Sequence, residues 1–270
     1  MRQPFSFLMK VLPHETSEPF YSDQTLDLSG NKISALPVLL VLLKLRTLRL
    51  DTNRLAALPD LSELADLRDL SAENNRLEGP SAVGPLPPSL TRLSLAHNAL
   101  AGVPVSLIAA AAVGGANSSS GGRASDGGLP ALAVLDLSGN RISVLPAMPG
   151  LPALAELTMD DNLLTGVGAE VTALMGLKRL SLRRNRIAAT VPRAAAGGGG
   201  GGSGGREQSL CRELFEATAV EVLNLEGNPL DKPQLMAMEG VAAFLARREK
   251  LKNRNLQGGA ALSLSVCGLD

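Results

Sequence analysis

The chain has 270 residues, 26 basic and 26 acidic side chains, and a mean hydropathy of +0.14. A neutral balance gives no global attraction to nucleic acid or to an anionic membrane. Cys211 and Cys267 are the only cysteines, too few for the disulfide framework of a small secreted domain.

Residues 1–23 read as an N-terminal cap segment. Pro4, Pro13 and Pro19 argue against a long helix there, and Phe20 and Tyr21 suit the covering of an exposed core end. The apolar start, Phe5 to Leu12, is interrupted by Lys10, and no small-residue cleavage site follows, so no secretory signal is expected. From residue 24 one pattern recurs. It is clearest at 45–53, Leu-Arg-Thr-Leu-Arg-Leu-Asp-Thr-Asn, followed by Leu55 and then Leu58-Pro59.

The asparagine of this pattern returns at Asn31, Asn53, Asn75, Asn98, Asn140, Asn162, Asn185 and Asn228, in steps of 22, 22, 23, 42, 22, 23 and 43 residues. A leucine stands five residues before every one of them, from Leu26 to Leu223. Apolar residues also occupy the positions three before and two after, with Ala72 the smallest of them. The alternation L-x-L has the period of a half-buried strand. One such strand cannot bury its apolar side alone, but stacked copies form a parallel sheet over a continuous core. Each inward leucine contributes roughly 1.5–3 kcal/mol of burial. The asparagine amide both donates and accepts, so a ladder of them can satisfy backbone groups at the turns.

Two steps are about double, and each reads as one repeat plus an insertion. The first, near 105–130, opens with an apolar run and becomes Gly/Ser-rich. The second, near 191–209, contains Gly197–Gly202 and lacks the Gly-Lys-Ser/Thr ending of a phosphate loop. Both fall after the asparagine turn, so the sheet is expected to run unbroken. The run 38–43 is far too short to span a bilayer, which needs about 20 residues, and reads as a buried outer turn. A helix is predicted over 207–218, with Leu210, Leu214 and Ala217 on one face and Phe215 beside it. A C-terminal capping helix is predicted over 235–251, then a tail, 252–270. Cys267-Gly268-Leu269-Asp270 has the cysteine position of a prenylation box, but Gly268 is not aliphatic and Asp270 is atypical of it.

Over residues 24–234 the pattern resembles the leucine-rich-repeat family, in eight in-register copies. The ending Glu226-Gly227-Asn228-Pro229-Leu230, a proline and an amphipathic helix is similar to cytosolic members grouped with Ras-signalling adaptors. The resemblance implies an α/β solenoid, a curved horseshoe of about eight 22–23-residue repeats with a parallel β-sheet on its concave face. It also implies a non-catalytic protein that binds other proteins.

The residues agree on catalysis. His14 and His97 are the only histidines, no Cys/His cluster has metal-ligand spacing, and no serine lies in a nucleophile elbow. No enzyme activity, metal or cofactor is expected. The concave face is read from the positions six, four and two before each asparagine. Its charged residues are Asp27, Arg49, Asp51, Asp69, Glu73, Arg92, Asp136, Glu156, Asp160, Arg179, Arg183 and Glu226, eight acidic and four basic. Arg179 and Arg183 are expected to make a basic spot in an otherwise acidic surface. A row one residue after the asparagine, Lys32, Arg54, Arg76, Arg141 and Arg186, stacks along one rim. The function read from these features is a cytoplasmic signalling scaffold or adaptor that binds another protein through its concave face. The alternative is a regulatory subunit positioning an enzyme such as a phosphatase or small GTPase. The chain is expected to be monomeric, without nucleic-acid binding or stable membrane association.

Overall fold

The computed structural model describes residues 24–36, 44–108, 128–192, 206–257 and 267–269. The expected N-terminal cap with Phe20 and Tyr21, the run 38–43, the Gly-rich stretches of both insertions and most of the tail lie outside these residues.

Eight strands of three residues form one sheet: β1 Thr25–Asp27, β2 Thr47–Arg49, β3 Asp69–Ser71, β4 Arg92–Ser94, β5 Val134–Asp136, β6 Glu156–Thr158, β7 Arg179–Ser181 and, after a hairpin described below, β10 Val222–Asn224. All neighbours pair in parallel, and the leucine five before each asparagine faces its counterpart, Leu26 to Leu48 through Leu180 to Leu223. Leu93 of β4 pairs with Leu135 of β5, and β7 pairs with β10, in the register of every other rung. Both insertions therefore leave the sheet unbroken. Each strand buries its central leucine and turns its first and third residues outward. The leucine two residues later returns to the core, as Leu50, Leu95 and Leu182 do. On the outer side, backbone bonds such as Leu64 N–H to the Leu61 carbonyl (3.0 Å) fold tight turns that bury an apolar residue every third position: Leu58, Leu61, Leu64 and Leu67.

The asparagines form the expected ladder. Asn162 donates to the Leu137 carbonyl of the preceding repeat (2.9 Å) and to the Met159 carbonyl of its own (3.3 Å), and accepts from the Ile142 N–H (2.9 Å). Asn53, Asn98, Asn140, Asn185 and Asn228 repeat this three-way bridge. The residue before each asparagine is left-handed, with φ from 49° to 73°: Gly30, Thr52, Asn74, His97, Gly139, Asp161, Arg184 and Gly227. Glycine and Asn/Asp tolerate this turn; Thr52, His97 and Arg184 are held in it by the stacked backbone on either side.

The end of the second insertion departs from expectation. β8 Thr190–Pro192 and β9 Arg206–Gln208 pair antiparallel, so the insertion leaves the solenoid on a two-stranded stem. That pairing claims the backbone of 206–208, and the helix predicted from 207 shortens to α2, Arg212–Glu216, after the four-residue α1, Val105–Ile108. Leu210, Leu214 and Phe215 are buried nonetheless. The single capping helix expected over 235–251 is two: α3 Lys232–Met236 and α4 Val241–Gln257. Asp231 caps α3 in a reciprocal box with Gln234. Gly240 breaks the helix at φ +85°, so close to α2 that a Cβ would lie 3.0 Å from the Arg212 carbonyl oxygen. Arg247 of α4 reaches back to the carbonyls of Phe215 (2.6 Å) and Val220 (3.2 Å), and Phe244 tilts against Phe215 at 6.2 Å.

The tail supplies one more rung. The Leu225 N–H donates to the Cys267 carbonyl at 2.8 Å, the bond that Leu182 N–H makes to Asn224 one repeat earlier. Cys267 is 3% exposed and belongs to the core, a position that withholds its thiol from a lipid-transferring enzyme. Among the described residues no helix is long and apolar enough to cross a membrane.

Candidate functional site

Three outward positions per repeat, stacked rung on rung, give the sheet face three lanes of side chains about 4.8 Å apart along the solenoid. Across β2 to β5 this face forms a depression of about 540 Å³. Arg49, Asp51, Asp69, Glu73, Arg92 and Asp136 line it, with Thr47, Ser71, Ser94 and Val134 between them. Six of the face's twelve charged residues are thus gathered in one groove, with Asp27 on β1 outside it. Glu156, Asp160, Arg179, Arg183 and Glu226 stand on the same face beyond it, toward β10.

The arginines are all spent on acids of an adjacent rung. Arg179 meets Glu156 at 2.7 Å and Arg183 meets Glu226 at 2.7 Å; Arg49 lies 3.9 Å from Asp27 and Arg92 3.8 Å from Asp69. The basic spot expected at Arg179 and Arg183 is therefore absent: each guanidinium is neutralised by a carboxylate that parallel pairing places on the next strand. These exposed pairs add little to stability, but they settle where charge remains. Four carboxylates, Asp51, Glu73, Asp136 and Asp160, have no Lys or Arg partner among the described residues. The face carries a net charge of −4, eight acidic less four basic residues.

Those four carboxylates are fixed rather than neutralised. Asp51 accepts from the Ser71 hydroxyl and, at 2.8 Å, from the Glu73 N–H. Glu73 accepts from Ser94 (2.8 Å), and Asp160 from Ser181 (2.6 Å) and the Arg183 N–H (2.8 Å). Asp136 accepts from the hydroxyl and N–H of Ser138. Sequence reasoning missed the serines. Their signal was present: an acid two before one asparagine, then a serine four before the next, at 51/71, 73/94 and 160/181. Neutral donors orient a carboxylate and leave its charge available to a partner.

A second feature was also missed. Arg184 clasps Asp161 through two bonds of 2.6 Å, one rung to the next, at the left-handed position before the asparagine. The Arg184 guanidinium holds the Asp161 carboxyl below the usual carboxylate range, against a weaker upward push from burial. Burial pushes the Cys211 thiol up to about 11, so it is a poor nucleophile at neutral pH. Among the described residues no group of three His, Cys, Asp or Glu is placed to hold a metal ion.

Comparison with protein-family profiles finds no match, and comparison with curated proteins finds none. Solved structures do match. A leucine-rich-repeat protein of Leptospira interrogans is 25% identical, with a TM-score of 0.55 over 89% of this chain and 48% of that one. The chain therefore spans about half the length of that protein. Internalin C2 of Listeria monocytogenes shares the fold at 18% identity and a TM-score of 0.52, over 80% of this chain and 77% of its own. A sheet assembled rung by rung from one leucine pattern, and shared with a known protein of that class, makes this chain a leucine-rich-repeat protein.

Proposed function

We propose that the protein is a non-catalytic interaction scaffold whose concave face takes a basic segment of a protein partner. The leucine-rich-repeat fold supports the scaffold class, and the leftover charge supports the chemistry of the partner. The observation that carries the reading is the unequal treatment of the two signs: every concave arginine is ion-paired with an acid, while Asp51, Glu73, Asp136 and Asp160 form no ion pair among the described residues. Three of these carboxylates line the groove, held in place before a partner arrives. Preorganised acceptors lose little side-chain entropy on binding. A lysine or arginine residue reaching each would replace solvent around an oriented carboxylate with a charged hydrogen bond. The protein acts in this reading as a cytoplasmic monomer.

Calorimetry with a lysine-rich peptide tests it. The variant Asp51→Asn/Glu73→Gln/Asp136→Asn keeps acceptor oxygens for the serines, so its melting temperature should match wild type. Its affinity for the peptide should fall about tenfold, three exposed pairs at about 0.5 kcal/mol each. Equal affinity in the two proteins would remove the groove from the function.

A further inference from the structure

The position one residue after each asparagine carries the opposite charge to the concave face. Lys32, Arg54, Arg76, Arg141 and Arg186 occupy five of its eight sites, and no acid occupies any, in a chain with equal numbers of both signs. All five are exposed. Backbone bonds stack the row. Arg54 N–H donates to the Ile33 carbonyl (2.8 Å), Arg76 to Leu55 (2.9 Å), Arg141 to Leu100 (2.9 Å) and Arg186 to Leu164 (2.9 Å). The neutral members Ala99 and Leu163 make the same bond, so the row runs without a break through the charged sites. None of the five side chains makes an ion pair or hydrogen bond to another described residue. On the concave face every arginine is matched by an acid; on this rim none is.

We propose that this rim is a second protein-binding edge, which takes an extended acidic segment of a partner lying along the solenoid axis. The row is one side chain wide and, over the six repeat steps from Lys32 to Arg186, roughly 29 Å long. That is the length of about nine extended residues. A single file of cations matches a linear run of carboxylates better than it matches a planar array of lipid headgroups. The only aromatics among the described residues, Phe215 and Phe244, are buried, so no described aromatic ring stands on this edge as a stacking platform for nucleobases. A rigid polyanion thicker than a peptide strand would also meet the −4 concave face beside the row. The proposal deepens the scaffold reading, on which it rests for one point only. With a basic segment in the groove and an acidic one on the rim, the molecule would bridge two partners of opposite charge.

The test is fluorescence anisotropy with a labelled oligoglutamate of about nine residues, at low and at physiological salt. Two triple reversals are compared with wild type. Arg54→Glu/Arg76→Glu/Arg141→Glu alters the rim. Arg46→Glu/Arg68→Glu/Lys178→Glu makes the same charge change at exposed residues of the opposite edge. Both should keep the wild-type melting temperature and the affinity order for the lysine-rich peptide. The rim variant is expected to lose tenfold or more in oligoglutamate affinity, the opposite-edge variant about threefold or less, and wild-type binding should weaken steeply with salt. Equal losses would reduce the effect to net charge and overturn the proposal. So would absence of binding by wild type. Tighter, rim-dependent binding to phosphatidylserine vesicles than to oligoglutamate would reassign the edge to membranes. Failure in any of these ways leaves lysine-peptide binding in the groove, and hence the scaffold reading, untouched.

Discussion

Asn162 carries four backbone groups on one amide: the Leu137, Met159 and Asp160 carbonyls and the Ile142 N–H. It is 4% exposed, so water cannot replace the amide without opening the stack. Asn162→Ala should cost about 2–4 kcal/mol in urea denaturation, the cost of stranding buried polar groups. A loss below about 1 kcal/mol would mean that the turns find other partners. The ladder was legible in the sequence because asparagine recurs in fixed register with one purpose. The left-handed residue before it was not, since Gly, Thr, Asn, His, Asp and Arg all occupy that site and the stacked backbone, not the residue type, sets the conformation. The Asp161–Arg184 clasp belongs to that unreadable position. The folded pKa of Asp161 is lowered, so the clasp stabilises the protein above the unfolded value near 3.8 and is lost as pH falls through the lower, folded one. Wild type should melt above Asp161→Asn at pH 7, by a small margin for so exposed a pair, and the two curves should converge in acid.

At the scale of elements, strands and helices differed in how readable they were. Each strand announces itself through two inward apolar residues and an asparagine, and insertion of some twenty residues between β4 and β5 does not disturb the register. The C-terminal cap has no such repeat to average over. Its apolar spacing continues smoothly through Gly240, and only the close approach of that glycine to Arg212 divides it into α3 and α4. Periodicity is silent on a contact that depends on another element. The β8–β9 stem was hidden for the same reason: pairing partners on either side of a glycine-rich stretch carry no pattern of their own. Arg247 is the fastening of the cap, since its guanidinium satisfies the carbonyls of Phe215, in the last turn of α2, and of Val220 beyond it. Arg247→Ala should lower stability by about 2 kcal/mol and speed hydrogen exchange in α4 before the repeats. Uniform loss of protection across the sheet would contradict that order.

For the whole molecule, neutrality conceals segregation. A chain of zero formal charge presents a −4 concave face and a row of five cations on one rim. The residues of both surfaces were readable from the register alone. What the register could not assign was which charges cancel. Parallel pairing brings Arg179 to Glu156 and Arg183 to Glu226, which erases the expected basic spot and leaves four carboxylates without an ion pair among the described residues. The Cys267 rung that extends β10 was equally invisible, because it follows a segment with no repeat pattern.

The central claim, that partners are held on the sheet face, is tested most directly by site-specific photocrosslinking in the protein's own cells. A photoreactive residue at Thr47 sits in the groove; one at Met175, 78% exposed, sits outside it. The account predicts a partner crosslinked from Thr47 and not from Met175, with the adduct lost when Asp51, Glu73 and Asp136 are neutralised. Adducts from Met175 alone, or a Thr47 adduct indifferent to those three carboxylates, would contradict it.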